Sequence, residues 1–251
     1  MKKILTAIIF CSGCLFAVAQ DEALQLKEAV NLERQLKDVD ALGKYQQIAA
    51  ADPKNIAVLV KLTEIYCNIG GRQEKKSDKQ LNYLAAQQYA GEALAVDSNS
   101  ADANYAYALA SDKLVELETK NEKILELEKL VKIYTDKALT LNPNQARANY
   151  IEGKWNFDML NISLLKKAEV KTLFKKYPDP DIDSAITYME KCRTLEQYFA
   201  PNYLVLAKAY KSKNRPAQAV EVLSKLVKLP TRTLNDIPIK AEGQQMLSEM
   251  Q

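Results

Sequence analysis

Beyond residue 20, apolar residues recur at three- and four-residue steps along almost the whole chain, with few alternating β-branched runs. That period belongs to amphipathic helices. It predicts helices over 21–37, 39–51, 55–69, 77–96, 100–119, 121–141, 145–160, 162–176, 181–197, 200–213, 216–228 and 236–249. Breaks fall at Asp52-Pro53, Asp97-Ser98, Asn142-Pro143, Pro178-Asp179-Pro180, Pro230 and Pro238, where proline or a short polar side chain ends a helix. Gly70-Gly71 in "NIGGRQ" reads as a further stop, with glycine in the left-handed conformation. The expected fold class is all-α.

The predicted helices share a plan. In "VDALGKYQQIAAADPKN", "YAGEALAVDSNSADANYAYALA" and "TDKALTLNPNQARANYIEG" a helix ends in small and large apolar residues. Asp or Asn, then Pro or Ser, then a polar turn and a new helix follow. A helical hairpin recurring at a roughly fixed period marks a solenoid. These hairpins resemble tetratricopeptide repeats, whose first helix carries a large residue, an apolar-small pair and Tyr, and whose second carries spaced alanines. Tyr203, Leu206, Ala207 and Tyr210 match the first helix, and Ala219 and Leu223 the second. Upstream, Leu59, Leu62 and Tyr66 match a first helix, and Ala86, Ala90 and Ala93 a second. "NIGGRQEKKSD" is an insertion between them, and Leu226 stands where alanine is usual.

The C-terminal half is also similar to the helical-repeat domain of the regulator of microtubule dynamics family. The matching features are Gly153 with Trp155, a Lys-rich helix ending in Leu173-Phe174 before Pro178, and Asn202-Tyr203 with Leu206. Leu229-Pro230, Asp236, Ala241-Glu242 and Met246-Leu247 follow in order. The resemblance implies the fold. It also brings an association of animal members with microtubules and organelle membranes, which fold alone does not transfer.

The first residues stand outside the helical plan. "MKKILTAIIFCSGCLFAVAQ" has basic Lys2 and Lys3, an apolar run, and small Ala17 and Ala19. This reads as a signal peptide over 1–19, cleaved after Ala19, with a mature helical-repeat domain over 20–251. Export, to a periplasm, is the expectation, and an exported chain does not meet tubulin. Ser12-Gly13-Cys14 resembles the end of a lipobox, which makes lipidation at Cys14 an alternative. Cys11 stands where Leu is usual there, however, and apolar residues continue past Cys14. The apolar run is also shorter than a spanning helix.

Without the leader, 33 basic residues face 32 acidic ones, since Lys2 and Lys3 leave with it. A balanced surface offers no field for nucleic acid. Cys67 and Cys192 remain, each in an apolar helical pattern, as buried thiols or as a disulfide that spacing alone does not decide.

Conventional active-site chemistry is missing. The chain has no histidine, which removes Ser-His-Asp and Cys-His catalysis and His-ligated metals. No Gly-rich phosphate loop occurs. Asp179, Asp181 and Asp183 alternate, but the glycine and terminal glutamate of a calcium loop are missing, and Asp183 or Asp181 reads as the cap of the helix that follows. "ELETKNEKILELEK" reads as a solvated helix face.

What remains is surface. The repeat register puts Tyr105, Asp112, Tyr150, Lys154, Phe157, Asp158, Leu204, Lys208 and Lys211 on the first helix of successive repeats, the concave side of a solenoid. Rings beside lysines are suited to an extended peptide; the same positions also serve packing between repeats. The expectation is a non-enzymatic scaffold, without cofactor, for a protein or peptide partner. A carrier of a lipid or other apolar small ligand is the alternative. The Lys-rich amphipathic helix over 162–176 is expected to cover the solenoid rather than lie on a membrane.

Overall fold

The computed structural model describes residues 23–161 and 179–250. The leader and the Lys-rich helix expected over 162–176 lie outside the described residues. Among those described there is no strand. The helices are α1 (23–34), α2 (Asp38–Ala51), α3 (Ile56–Gly71), α4 (Lys76–Val96), α5 (Ala101–Val115), α6 (Asn121–Leu141) and α7 (Ala146–Leu160). Then come α8 (Ile182–Leu195), α9 (Ala200–Ser212), α10 (Pro216–Leu226) and α11 (Asp236–Glu249).

The recurring turns have a common cause. Asp52, Asp97 and Asn142 each follow a helix and accept the backbone N–H two residues on, from Lys54 (3.1 Å), Asn99 (2.8 Å) and Asn144 (3.0 Å). Such Asx turns satisfy the chain as it reverses. Asn55, Ser100, Gln145 and Asp181 then cap α3, α5, α7 and α8 by accepting the N–H three residues ahead. The Asp181 cap agrees with the reading of the alternating aspartates. Just inside α5 and α7, buried Asn104 and Asn149 donate back to carbonyls of the preceding turn.

From α2 onward each helix packs on the next, and α3, α5, α7, α9 and α11 also meet in sequence, forming an inner layer. The even-numbered helices lie outside it. Among the described residues, three large apolar clusters run along the stack, centred on Tyr45, Leu59 and Leu62, on Val131, Ile151 and Trp155, and on Met189, Leu206 and Leu223, with a small fourth formed by Cys67, Ala86 and Ala110. Each fully buried large aliphatic residue in them contributes roughly 1.5–3 kcal/mol.

Two expectations are corrected. Gly70 and Gly71 lie inside α3, and no described glycine has a positive φ. Gly70 is where α4 presses closest: a Cβ there would stand 2.6 Å from the Tyr83 ring. It serves close packing rather than termination. The helix expected over 100–119 stops at Val115, four residues early.

The array does not end freely. The turn leading into α11 carries Asn235, whose side chain accepts from Arg72 and donates to the Asn68 carbonyl (3.1 Å). These partners are 163 and 167 residues away along the chain. Arg72 also pairs with Asp38 at 2.7 Å. The last helix is thereby tied to the end of α3 and the start of α2.

Candidate binding face

The inner layer gathers several of the residues singled out by the repeat register, Tyr105, Asp112, Tyr150, Lys154 and Asp158, into two polar groups. The first is centred on Glu64 of α3, which is buried. It accepts from the Tyr105 hydroxyl of α5 at 3.0 Å and pairs with Arg147 at the start of α7 at 2.8 Å and with Lys61 at 3.1 Å. Burial alone would raise the Glu64 carboxyl, but Arg147 and Lys61 outweigh it and hold it below the usual range. Arg147 continues to Glu196, in the turn before α9, at 2.9 Å. Its guanidinium stands 4.9 Å from the Phe199 ring centroid, and Phe199 packs edge-on against Tyr150, 5.1 Å away. Three repeats are stitched together through one guanidinium. Planar Arg, with its fixed fork of donors, suits that role.

The second group lies further along α5 and α7. Lys154 pairs with Asp112 at 2.8 Å and with Asp158 at 2.7 Å. Burial would lower the Lys154 ammonium, yet the two carboxylates raise it well above its ordinary value. Asp112 is held low, Lys154 overcoming the effect of burial. Lys113 pairs with Glu116 at 2.6 Å. Behind them Glu128 of α6 is 8% exposed and forms no ion pair or hydrogen bond among the described residues. Burial, then the nearby Asp112, push its carboxyl up to about 8. Glu128 corrects the reading of "ELETKNEKILELEK" as a wholly solvated face: Glu126 and Lys129 are not buried there, but Glu128 points inward.

The candidate residues therefore divide. Tyr105 and Leu204 are core, and Asp112 is buried and paired. Tyr150, Lys154, Phe157 and Asp158 stay partly exposed on one side of α7. Lys208 pairs with Glu242 of α11 at 2.7 Å, and Lys211 is exposed at the end of α9. Trp155 is core. Cys67 and Cys192 are buried free thiols.

Sequence reasoning missed Glu64, Glu128 and Arg147. Glu64 left a signal, a lone charge between Thr63 and Ile65 in an otherwise buried stripe of α3. Arg147 left none, because its partners lie 83 and 49 residues away.

Among the described residues no group of acids, thiols or imidazoles has the arrangement of a metal site, and no helix is long and apolar enough to cross a membrane. What the face provides is a run of fixed charges and rings across neighbouring helices.

A stack of helical hairpins with this inner layer is a tetratricopeptide-like α-solenoid. Among solved structures it is similar to a thermophilic TPR protein of Thermus thermophilus, with a TM-score of 0.61 and 15% identity over 91% of this chain and 98% of that one. It is also similar to PilF of Pseudomonas aeruginosa, with a TM-score of 0.51 and 12% identity over 92% and 89%. The family model described as regulator of microtubule dynamics protein 1-3 matches residues 24–251, and the chain belongs to that family. The match extends the resemblance read in the C-terminal half to nearly all of the helical region. Relatives include regulator of microtubule dynamics protein 1 of Mus musculus, 26% identical over 69% of this chain and 57% of its own length. The Caenorhabditis elegans protein of the same name is 25% identical over 74% and 80%. The chain thus spans little more than half the length of the mouse relative.

Proposed function

We propose that the chain is an exported, non-enzymatic scaffold that holds a protein or peptide partner against the inner face of its odd-numbered helices. The observation that carries this reading is the side of α7 bearing Tyr150, Lys154, Phe157 and Asp158, partly exposed and braced by an ion pair to α5. Side chains already held in place lose little freedom when a partner docks. Export rests on the basic start, apolar run and small-residue site of residues 1–19. The role in the relatives' name is not carried over, because an exported chain does not meet tubulin.

Pull-down from a periplasmic extract tests the reading. The intact mature chain should recover partners that a variant with Tyr150, Lys154 and Phe157 all changed to Ala loses, while that variant keeps its helical circular dichroism. Equal recovery by a folded triple variant would refute it. N-terminal sequencing tests export separately: a mature chain starting at Gln20 supports it, and an intact Met1 refutes it.

A further inference from the structure

Away from the inner layer, the C-terminal ends of the outer helices α8 and α10 form the walls of a groove of about 500 Å³. Arg193, Tyr198, Tyr203, Lys225, Lys228 and Leu229 are among the residues that line it, and no carboxylate does. Arg193 is fixed in advance. Its Nε and Nη2 meet Glu190 at 2.8 and 2.7 Å, and Glu190 is held in turn by the Tyr210 hydroxyl at 2.8 Å. Its Nη1 makes no hydrogen bond among the described residues, with Glu221 standing 3.6 Å away. Tyr198 is 48% exposed, yet the Arg232 guanidinium lies over its ring, 4.4 Å from the centroid.

Helix C-termini attract cations, and that accounts for Arg193 and Lys225, which stand in the last turns of α8 and α10. Lys225 is also paired with Glu221 at 2.8 Å. It does not account for Lys228, two residues past the end of α10, which makes no ion pair among the described residues. Nearby acceptors are already met: the Gln197 carbonyl by the Tyr203 hydroxyl at 2.8 Å, the Leu229 carbonyl by the Lys240 ammonium at 2.6 Å, and Glu196 by Arg147. The residues outside the described ones carry seven lysines against three acidic side chains, Asp21, Glu22 and Glu169, so they are a poor source of the carboxylate this groove lacks.

We propose that the groove is a second docking site, for an extended acidic segment of a partner protein in which a glutamate or aspartate stands beside a large apolar residue. The carboxylate meets Lys228 and the open Nη1 edge of Arg193 through charge-assisted hydrogen bonds. The apolar side chain lies against the Tyr198 ring and Leu229. A guanidinium and a ring that are already held lose little freedom on binding. This site goes beyond the scaffold reading: it lies on outer helices and depends neither on export nor on the side of α7.

The test is an NMR titration of the isotope-labelled full chain at pH 7 with acetyl-Glu-Phe-Leu-amide, its glutamine analogue serving as control. The expected result is saturable shift changes at the ends of α8 and α10, with the glutamine analogue binding roughly tenfold more weakly or worse. Affinity should also fall as salt rises from about 50 to about 500 mM. Lys228→Glu alters an exposed side chain without touching the core, and should weaken binding roughly tenfold or more. Arg193→Gln should weaken it too, but that variant also strands Glu190, so Lys228→Glu decides. No saturable change up to about 10 mM peptide, equal binding of the glutamine analogue, or an unchanged Lys228→Glu variant each overturns the proposal. A glutamine peptide with a free C-terminal carboxylate is the last arm: if it binds while the amidated glutamate peptide does not, the groove receives chain ends and the proposal fails.

Discussion

Arg147→Met is the substitution from which the stitching of the inner layer is best measured. Methionine keeps the length and much of the apolar stem but removes the guanidinium that joins Glu64 of α3 to Glu196 before α9. Glu64 then remains buried, with Lys61 at 3.1 Å and the Tyr105 hydroxyl at 3.0 Å as its remaining partners. Removing one partner of a buried ion pair costs about 3–5 kcal/mol. Lys61 stays in place and Arg147 is partly exposed, so the lower end, about 3 kcal/mol, applies. For a chain of this size that lowers the melting temperature by roughly 6–12 °C. Glu64→Gln in the same background removes the stranded charge and should restore a substantial part of the loss, giving a coupling energy in a double-mutant cycle. The pH dependence adds a sign. In the intact protein Glu64 sits below its unfolded value of 4.5, so its contribution is present above that pH and fades as pH falls through the folded value. Without Arg147 burial dominates and raises the carboxyl. The variant's deficit should then shrink on acidification from pH 7 towards 4.5. Urea unfolding at several pH values reads this directly. A deficit below about 1 kcal/mol, or one independent of pH, would refute the claim that Arg147 neutralises a buried Glu64.

Further outcomes follow from other sites. Glu128→Gln should stabilise the protein by about 3 kcal/mol at pH 7, because the folded carboxyl at about 8 and the unfolded one at 4.5 make wild-type stability decline between those values; chemical unfolding across pH 4–9 should show that decline flattened in the variant. Gly70→Ala should destabilise despite alanine's better helix propensity, since its Cβ meets the Tyr83 ring at 2.6 Å; Gly153→Ala should lose about 1–3 kcal/mol against Met189 and the Ala185 carbonyl of α8, at 2.6 and 2.9 Å. Thermal melts decide both, and an unchanged or raised midpoint contradicts the close-approach account. Cys67 and Cys192 should resist Ellman's reagent until the chain unfolds, because burial raises both thiols, Cys192 to about 12.

The architecture was legible in the sequence because its causes are local. Spaced alanines, the Asp52, Asp97 and Asn142 turns and the Asn-Tyr starts of α5, α7 and α9 each record a step of a few residues. Repeat register also placed Tyr150, Lys154, Phe157 and Asp158 on one side of α7. It did not show that Tyr105 is buried against Glu64, or that Asp112 is consumed by Lys154, because those contacts depend on how far one hairpin is rotated on the next. Gly70 misled for a related reason. Glycine serves left-handed turns and tight helix crossings alike, and the deciding neighbour, Tyr83, lies on the following helix. The spacing of Glu and Lys around Glu128 suited an exposed face, and only the three-dimensional placement of α6 against α5 and α7 reveals one carboxyl turned inward.

The bond between Asn235 and the end of α3 changes what kind of object the stack is. An ordinary run of hairpins behaves like a zipper, losing units from either tip while the middle persists. With the α2–α3 hairpin and the turn into α11 held to each other, neither can swing away from the stack without also breaking that long-range seam. Melting then resembles opening a bracelet: cutting the fastening restores fraying at both ends, whereas a nick between two central hairpins leaves every unit with a neighbour.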